Sequence, residues 1–332
     1  MPGFVDSNSP AVWWQGRLVV FTSDNTPKRS EGPDLFHLAG PELVKWEGAA
    51  KSRWIEAAWA DDDGTIYAWY HHEPGGICPG DKLTAPVIGA AISHDGGRTF
   101  TDMGIVLRAG DVPNCGALNG FFAGGHGDFS VVLDRNREYF HFVFTTYGGD
   151  LAQQGLGLAR LPFDARGNPA GSVHKYHAGE WSEPGLDGKV TPILPAVIGW
   201  ETDRPYAFWG PSVHWNYAIN SYVMLLNRTC CEPRWPQEGI YVSFNDDLSN
   251  PAGWSEPLQL LDEGDWYPQV IGVEPGDTAD HAGAVTRLFV RGRSNLELVF
   301  WHTQEEGELE TTTTIGPMRP RTIRPNGLAP PR

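Results

Sequence analysis

The sequence predicts an all-β fold, a single-domain five-bladed β-propeller, and three observations lead to it. A hairpin made of an apolar strand, a polar turn and an aromatic-rich strand recurs five times along the 332 residues. Further strands follow most of these hairpins, which gives repeating units of about 50 residues, the size of a propeller blade. The chain also has 40 glycines and 27 prolines, a composition that suits many tight turns and few long helices.

Each repeated hairpin consists of a short apolar strand, a polar turn and an aromatic-rich strand. In the second hairpin the turn ends in Asp63-Gly64, and glycine favours such turns because it accepts a positive φ. In order, the hairpins are predicted at 10–14 with 18–22, 55–59 with 65–70, 129–133 with 138–144, 211–215 with 221–226, and 267–272 with 287–290 and 297–301. An all-β sandwich is the alternative, but it gives no reason for five copies of one hairpin.

Outer strands complete the predicted blades. Third strands are predicted at 89–93, 156–160 and 240–244, and fourth strands at 104–107 and 257–261. The blades are then expected at 1–50, 51–110, 111–198, 199–263 and 264–305, followed by a Thr- and Pro-rich strap or tail at 306–332. Residues 93–100 match the S-x-D-x-G-x-T-F pattern of an Asp box, so we expect Asp95 to fix a turn between outer strands, far from the axis.

The composition excludes several functional classes. A formal net charge of −16 leaves no basic stripe for the phosphates of nucleic acid or for an anionic membrane surface. No apolar run approaches the length of about 18 residues that a membrane-spanning helix needs. The 14 tryptophans are an unusually large number, and flat indole rings suit both a propeller core and the apolar faces of sugars. The expected partner is therefore a carbohydrate, whereas the cellular location stays open.

The four cysteines match no zinc-binding pattern. A bridge between Cys78 and Cys115 is compatible with the sequence, although the pairing cannot be deduced from it. Adjacent Cys230 and Cys231 are more typical of two buried thiols than of a redox centre.

Propeller geometry predicts which residues can meet. The first strand of each blade lines the axis, and it begins on the face where the second strand ends. Residues just before the first strand or just after the second therefore converge on one mouth. Glycoside hydrolysis needs two carboxyl groups across the scissile bond, and the candidates at this mouth are Asp128, Glu73, Glu56 and Asp6. The apolar neighbours of Glu56 should raise its pKa, as a general acid requires.

Polar and aromatic residues at the same positions are candidates for sugar binding, because hydroxyls need donors and sugar rings need flat platforms. The set comprises His72, His126, Trp54, Trp209, Arg228, Tyr267, Gln269 and His302. Glycines 124, 125 and 127 should allow a substrate to approach the backbone closely, and His126 is expected to polarise Asp128. No cofactor is expected, but His71, His72, His126 and Glu73 leave open a single structural calcium near the axis. Neighbouring histidines on a strand face opposite sides, so only one of His71 and His72 can face the axis.

Several predicted inner strands resemble those of the five-bladed propeller glycosidases, which include arabinanases, β-xylosidases and the invertase and levanase relatives. Residues 128–134 (DFSVVLD) resemble the later-blade strand whose Asp tunes the catalytic acid in that clan. Residues 210–213 (GPSV) resemble the strand that normally follows the acid Glu, and 267–271 (YPQVI) resemble a fifth-blade strand. The resemblance implies a propeller fold and a glycosidase activity, in a divergent branch.

The chain departs from that pattern at two positions. Ser9 stands where the resemblance implies the catalytic base, unless Asp6 replaces it, and Trp209 stands where it implies the acid. If the protein is an enzyme, its acid is therefore expected at Glu56 or Glu73. The sequence predicts a glycoside hydrolase acting on an oligosaccharide or a furanoside-containing glycan in the axial pocket. The alternatives are a non-catalytic sugar-binding propeller and a structural or partner-binding propeller whose mouth is plugged by the chain itself.

Overall fold

The computed structural model describes residues 1–47, 53–80, 82–233, 235–303 and 312–315, with the backbone alone for 302–303 and 312–315. Its strands form five small sheets, which confirms the predicted five-bladed β-propeller. The first sheet runs in the order of the sequence and consists of β1 (Ala11–Trp14), β2 (Arg17–Ser23), β3 (Pro27–Gly32) and β4 (Glu42–Leu43).

The second sheet has the order β5-β9-β8-β7-β6 and consists of β5 (Lys45–Glu47), β6 (Arg53–Ala60), β7 (Ile66–His72), β8 (Val87–Ser93) and β9 (Thr99–Leu107). Strand β5 lies within 1–50, where the sequence predicts the first blade, but it pairs in parallel with β9 of the second sheet. The third sheet consists of β10 (His126–Leu133), β11 (Tyr139–Thr146), β12 (Gly155–Pro162), β13 (His174–His177), β14 (Glu180–Pro184) and β15 (Leu194–Pro195).

The fourth sheet is built mainly from β16 (Ala207–Asn216), β17 (Ser221–Thr229), β18 (Gln237–Asn245) and β19 (Leu258–Asp262). The last five strands are β20 (Pro268–Gly272), β21 (His281–Ala282), β22 (Val285–Val290), β23 (Arg293–Thr303) and β24 (Thr312–Ile315). Of these, β20, β22, β23 and β24 form the fifth sheet, whereas β21 pairs in parallel with β16 of the fourth. In the described ranges the helical segments are three short 3-10 turns at Leu151–Gln153, Phe163–Ala165 and Pro251–Gly253, and none could cross a membrane.

Aromatic side chains fill the space between blades. Between the second and third sheets, Trp69 packs on Phe140 at 4.9 Å between ring centroids and on Phe142 at 5.8 Å. Phe129 and Phe144 complete this layer and are fully buried. Burying one such side chain contributes about 1.5–3 kcal/mol. This explains why the second strand of each hairpin is rich in aromatic residues.

Residues before β1 fasten the blades around the axis. The Asn8 side-chain amide donates to the Phe129 carbonyl at 2.9 Å and to the Pro211 carbonyl at 2.8 Å, so it joins the third and fourth blades. The Gln269 side chain exchanges two hydrogen bonds with the Ser9 backbone, which joins the fifth blade to the first. These buried amides hold the inner strands at fixed distances, because an unpaired amide there would lose the free energy of its hydrogen bonds.

The turn between β8 and β9 is fixed by Asp95. Its Oδ1 accepts hydrogen bonds from the backbone N–H groups of Arg98 at 3.0 Å and Thr99 at 2.9 Å, while Ser93 Oγ accepts one from Gly97 N–H at 2.9 Å. These contacts give Asp95 a local structural role. They also place it outside the group of side chains at the axis.

Both cysteine pairs are bonded. Cys78 and Cys115 form a disulfide with a Cα–Cα distance of 5.5 Å, which confirms the pairing that the sequence left open. Cys230 and Cys231 form a disulfide between neighbours, so the expectation of two buried thiols is wrong. Both residues are only half-buried, so they are not the pair of buried thiols that the sequence predicted.

Replacing Cys78 and Cys115 together with serine should lower the free energy of unfolding by about 2–4 kcal/mol. The bridge spans 37 residues of sequence, and a loop of that length gains much conformational entropy in the unfolded chain when it is released. Urea denaturation of the variant and the oxidised wild type measures the difference. Equal unfolding midpoints would show that the bridge does not restrain the chain.

Candidate functional site

Five inner strands, β1, β6, β10, β16 and β20, begin at the same end of the axis, and this opening is called the front mouth. Three of them are interrupted near their start by a β-bulge: between Ile55 and Ala57, between Gly127 and Phe129, and between Trp209 and Ser212. A bulge redirects the side chain it carries. The side chains of Glu56 and Asp128, which lie within the first two bulges, are thereby brought close to each other at the axis.

Asp128 has a left-handed backbone with φ of 43°, which turns its carboxyl group toward two tyrosines. The Tyr147 hydroxyl donates a hydrogen bond to Asp128 Oδ2, and the Tyr267 hydroxyl is near enough to lower the pKa of this carboxyl. Burial raises the pKa of Asp128, although the charge of His71 and the hydrogen bond from Tyr147 act in the opposite direction. Asp128 is therefore a fixed, buried carboxyl at the base of the mouth.

Glu56 lies beside it. Its Oε2 accepts a hydrogen bond from the Phe129 backbone N–H at 2.8 Å, and its Oε1 lies 3.5 Å from His71 Nδ1. Burial raises the pKa of Glu56 to about 8, and the charge of Asp128 adds to this effect while His71 opposes it. The raised pKa expected from the apolar neighbours of Glu56 is confirmed.

His71 occupies the centre of the group. Its Nε2 lies 3.3 Å from Glu73 Oε1, and its Nδ1 faces Glu56. Burial lowers the pKa of His71, but the hydrogen bond with Glu73 and the charges of Glu56 and Asp128 outweigh burial and raise it to about 9. His71 is consequently a cation at neutral pH. We call Glu56, His71, Glu73 and Asp128 the carboxylate–histidine cluster.

Asp6 approaches this cluster from the segment before β1. Its backbone N–H donates to the Ser23 carbonyl at 2.8 Å, which holds the segment against the end of β2. Burial raises the pKa of Asp6 to about 6, and the charges of Asp128 and Glu73 add to it, whereas Arg291 and His71 act against it. Asp6 is half-buried and Glu73 is one-third exposed, so these two carboxyl groups are the ones that a ligand in the mouth can reach.

The ligand atoms of Glu56, His71 and Asp128 all lie within 4.8 Å of one another, which makes them the candidate metal site. Calcium prefers about six to eight oxygen ligands. Here one of the three groups is an imidazole that holds a proton, and the carboxylates already accept hydrogen bonds from Phe129 and Tyr147. These residues fit a calcium ion poorly, because His71 itself supplies the positive charge that the carboxylates need.

Two of the residues predicted to bind sugar lie at the cluster. Trp54 packs its ring edge against His71 at 5.4 Å between centroids, and Tyr267 is buried next to Asp128, whose pKa it lowers. His72 follows His71 on β7 and is half-buried, so it lies on the other face of the strand. The choice of His72 over His71 for the mouth is therefore corrected. The side chain of His302 lies outside the described residues.

Four other predicted residues are directed elsewhere, and their predicted contact with a substrate is corrected. Arg228 forms an ion pair with Glu238 at 3.0 Å and stacks over Tyr206 at 4.5 Å, because its neighbour Asn227 takes the axial face of β17. Trp209 is 1% exposed and donates from Nε1 to Gln237, which leaves no face for a sugar.

The side chains of Gln269 and His126 are also unavailable to a substrate. The Gln269 side chain is committed to the Ser9 backbone. The His126 ring is buried against Phe144 at 4.8 Å between centroids. Burial holds the pKa of His126 well below its usual range, so it is neutral and does not polarise Asp128.

Gly127→Ala should lower the free energy of unfolding by about 1–3 kcal/mol, because overpacking a core site has a cost of that size. A Cβ atom at this position would lie 2.6 Å from His71 Cε1, and the buried ring has no free space to move into. Urea denaturation measures the loss. Gly75→Ala is the matched control, since a Cβ there meets nothing within 4 Å, and equal stability of the two variants would contradict the packing of His71.

No protein-family model matches this sequence, and no curated protein matches it significantly. Solved structures do match over nearly the whole length. An α-L-arabinanase of Cellvibrio cellulosa aligns with a TM-score of 0.53 at 12% identity, covering 94% of this chain and 96% of that one. The chain has the fold of the family-43 glycoside hydrolases.

Two further structures with the family-43 fold support that statement. A thermostable family-43 glycoside hydrolase aligns with a TM-score of 0.52 at 12% identity, over 95% of this chain and 96% of that chain. A family-43 β-1,3-galactosidase, solved with galactodeoxynojirimycin, aligns with a TM-score of 0.52 at 11% identity, over 96% of each chain. At such low identity the likeness concerns the fold.

Proposed function

We propose that this protein is a glycoside hydrolase that cleaves an oligosaccharide or a furanoside-containing glycan at the front mouth. One observation carries the proposal: four carboxyl groups from three blades gather around a single buried histidine at the end of the axis. A structural ion pair needs one carboxylate for one cation. Four carboxyl groups around one imidazolium instead keep at least one proton on a carboxyl group at neutral pH, which is the requirement of acid-base catalysis.

We assign the general acid to Asp6, in place of Glu56 or Glu73, where the sequence led us to expect it. Its pKa of about 6 lies close to neutral pH, where an acid can both hold and donate its proton. Asp6 is also only half-buried, so a ligand at the front mouth can reach it. In this assignment Asp6 protonates the leaving oxygen of the glycosidic bond.

Glu73 is assigned as the second carboxyl group of the reaction, acting on water or on the anomeric carbon. Its side chain is one-third exposed, and the ion pair with His71 at 3.3 Å fixes its position. Asp128 acts on Asp6 through its charge and does not itself need to touch the substrate. This role agrees with the acid-tuning Asp that the family resemblance implies for Asp128.

Glu56 and Asp128 fit the two chemical roles less well. Their nearest oxygens lie within 4.8 Å of each other, closer than the about 5–5.5 Å between the carboxyl groups of retaining glycosidases. Both side chains are about 95% buried, so a sugar ring could not enter between them. We therefore place them beneath the substrate, where Glu56 stores a proton and Asp128 tunes the acid.

A non-catalytic sugar-binding propeller is the second candidate, because Ser9 and Trp209 occupy the positions where the resemblance implies a base and an acid. Incubation of the protein with linear and branched arabinans, xylans, galactans and their oligosaccharides, followed by detection of new reducing ends, separates the two. Hydrolysis of at least one substrate supports the proposed enzyme. Binding without any new reducing ends favours the second candidate.

A further inference from the structure

A second cavity lies at the opposite end of the axis, where the inner strands end, and this opening is called the far mouth. Its volume is about 600 Å³, within the usual size of small-ligand pockets of about 300–1,000 Å³. Its walls come from the ends of β1, β6, β10 and β16 and from the loop after β20, so every blade contributes. None of the residues at the front mouth lines it.

Three tryptophans from three blades form its apolar walls: Trp13, Trp59 and Trp215. Trp13 Nε1 donates to the Asp277 carbonyl at 2.8 Å, which fixes the orientation of that ring. Trp59 is held edge-on by Phe140 at 5.4 Å and Phe163 at 5.6 Å. Rigid indoles offer flat surfaces at little entropic cost, and such surfaces suit the C–H faces of sugars.

Polar groups stand beside these rings. The Arg135 guanidinium lies over the Trp215 ring at 4.4 Å, and within the described ranges it forms no ion pair with a carboxylate. His281 lies exposed at the rim. Arg135 therefore presents free N–H donors next to an aromatic wall, which is the combination that orients sugar hydroxyls.

The charges at the far mouth favour a neutral ligand over an anionic one. Arg135 is balanced by Asp134 and Asp280, which line the same cavity. Both carboxyl groups already accept hydrogen bonds, Asp134 from the backbone N–H groups of Glu138 and Tyr139 and Asp280 from the Thr278 hydroxyl. Because Asp134 and Asp280 already accept these hydrogen bonds, the site can bind a sugar but has no free pair of carboxyl groups to cleave it.

The two mouths are separate sites. Between them the axis narrows to a cavity of about 30 Å³ that Glu56 and Asp280 both line. That volume accommodates water but no sugar ring. A glycan bound at one mouth therefore cannot pass through to the other.

We propose that the far mouth is a second carbohydrate site that binds a short neutral oligosaccharide without cleaving it. The ligand stacks on Trp13 and Trp59, which are partly exposed, and Arg135 donates to its hydroxyls from its place over the buried Trp215 ring. A site of this kind would hold one part of a glycan chain while another molecule or segment is cleaved at the front mouth. This proposal does not require hydrolysis at the front mouth. The far-mouth binding site and the front-mouth hydrolase can therefore be disproved independently.

Titration calorimetry with arabinotriose, xylotriose and galactotriose tests it, using the Asp6→Asn variant so that no probe is turned over. We expect at least one probe to bind, and Arg135→Ala or Trp13→Ala in that background to weaken this binding at least fivefold. Arg98→Ala is the matched control, because Arg98 also lies over a tryptophan ring, Trp14 at 5.6 Å, but does not line the far mouth. In the wild-type background, Arg135→Ala should leave any front-mouth hydrolysis within twofold of its original rate.

Two results would overturn the far-mouth site. One is that none of the three probes binds at millimolar concentration. The other is that Arg135→Ala, which changes an exposed side chain and should not affect folding, binds every probe as tightly as the unaltered protein. Loss of hydrolysis in Arg135→Ala would likewise contradict two separate sites.

Discussion

Asp6→Asn is expected to lower kcat by about 100- to 10,000-fold, the range that a general acid contributes. The amide keeps the size of the side chain but has no acidic proton to transfer to the leaving oxygen. Its effect on KM should be small, because the neutral acid and the amide make similar contacts with a bound sugar. Steady-state hydrolysis of the best substrate from the glycan panel measures both constants.

Asp128→Asn tests the physical cause behind that assignment. The charge of Asp128 raises the pKa of Asp6, so its removal should shift the alkaline limb of the pH–rate profile to lower pH. Asp62→Asn is the control, since Asp62 is exposed in the turn between β6 and β7 and should leave the profile unchanged. An alkaline limb that stays in place in Asp128→Asn would contradict the tuning role.

His71→Leu should lower the free energy of unfolding by about 3–5 kcal/mol, because it leaves buried carboxylates without their cation. Glu56 and Asp128 are buried and Glu73 is partly so, and no second cation is bonded to this group in the part of the chain that the structure describes. Urea denaturation at pH 7 measures the loss. Adding Glu73→Gln to His71→Leu should recover part of the lost stability, because it removes the carboxylate that pairs most closely with His71 and so one of the uncompensated charges.

The pH dependence gives a second measurement of the same cluster. The folded state raises the pKa of His71 from 6.5 to about 9, so its stabilising contribution is complete below pH 6.5 and is lost as the pH rises through 9. The stability difference between wild type and His71→Leu should therefore shrink above pH 9. A difference that stays constant from pH 6 to pH 10 would show that His71 is not charged in the folded protein.

The fold could be predicted from the sequence because a blade is a local unit. Its hairpins join strands that are neighbours in sequence. Each hairpin can be predicted from its turn residues and from the aromatic residues of its second strand. The predicted hairpin at 129–133 with 138–144, for example, corresponds to β10 and β11. Pairings between strands that are distant in sequence have no turn that would predict them. Strand β5 joins the second sheet in this way, and β21 joins the fourth, both by parallel pairing.

The candidate site was only partly predictable. The spacing of residues before and after the inner strands brought Glu56, Glu73 and Asp128 to one mouth. The sequence did not show, however, which residues of a strand face the axis. Strand β7 is buried on both faces, so the pattern of apolar residues could not distinguish His71 from His72. Tyr147 and Asp128 meet because of a bulge and a positive φ, which the preceding glycines permit but do not specify.

A crystal structure of the Asp6→Asn variant with an oligosaccharide that the wild type cleaves would show which side chains flank the scissile bond. We expect a glycosidic oxygen at the front mouth within about 3 Å of the side chain at position 6, with Glu73 on the other side of the scissile bond. A sugar bound only at the far mouth, or bound at the front mouth beyond the reach of both side chains, would contradict it.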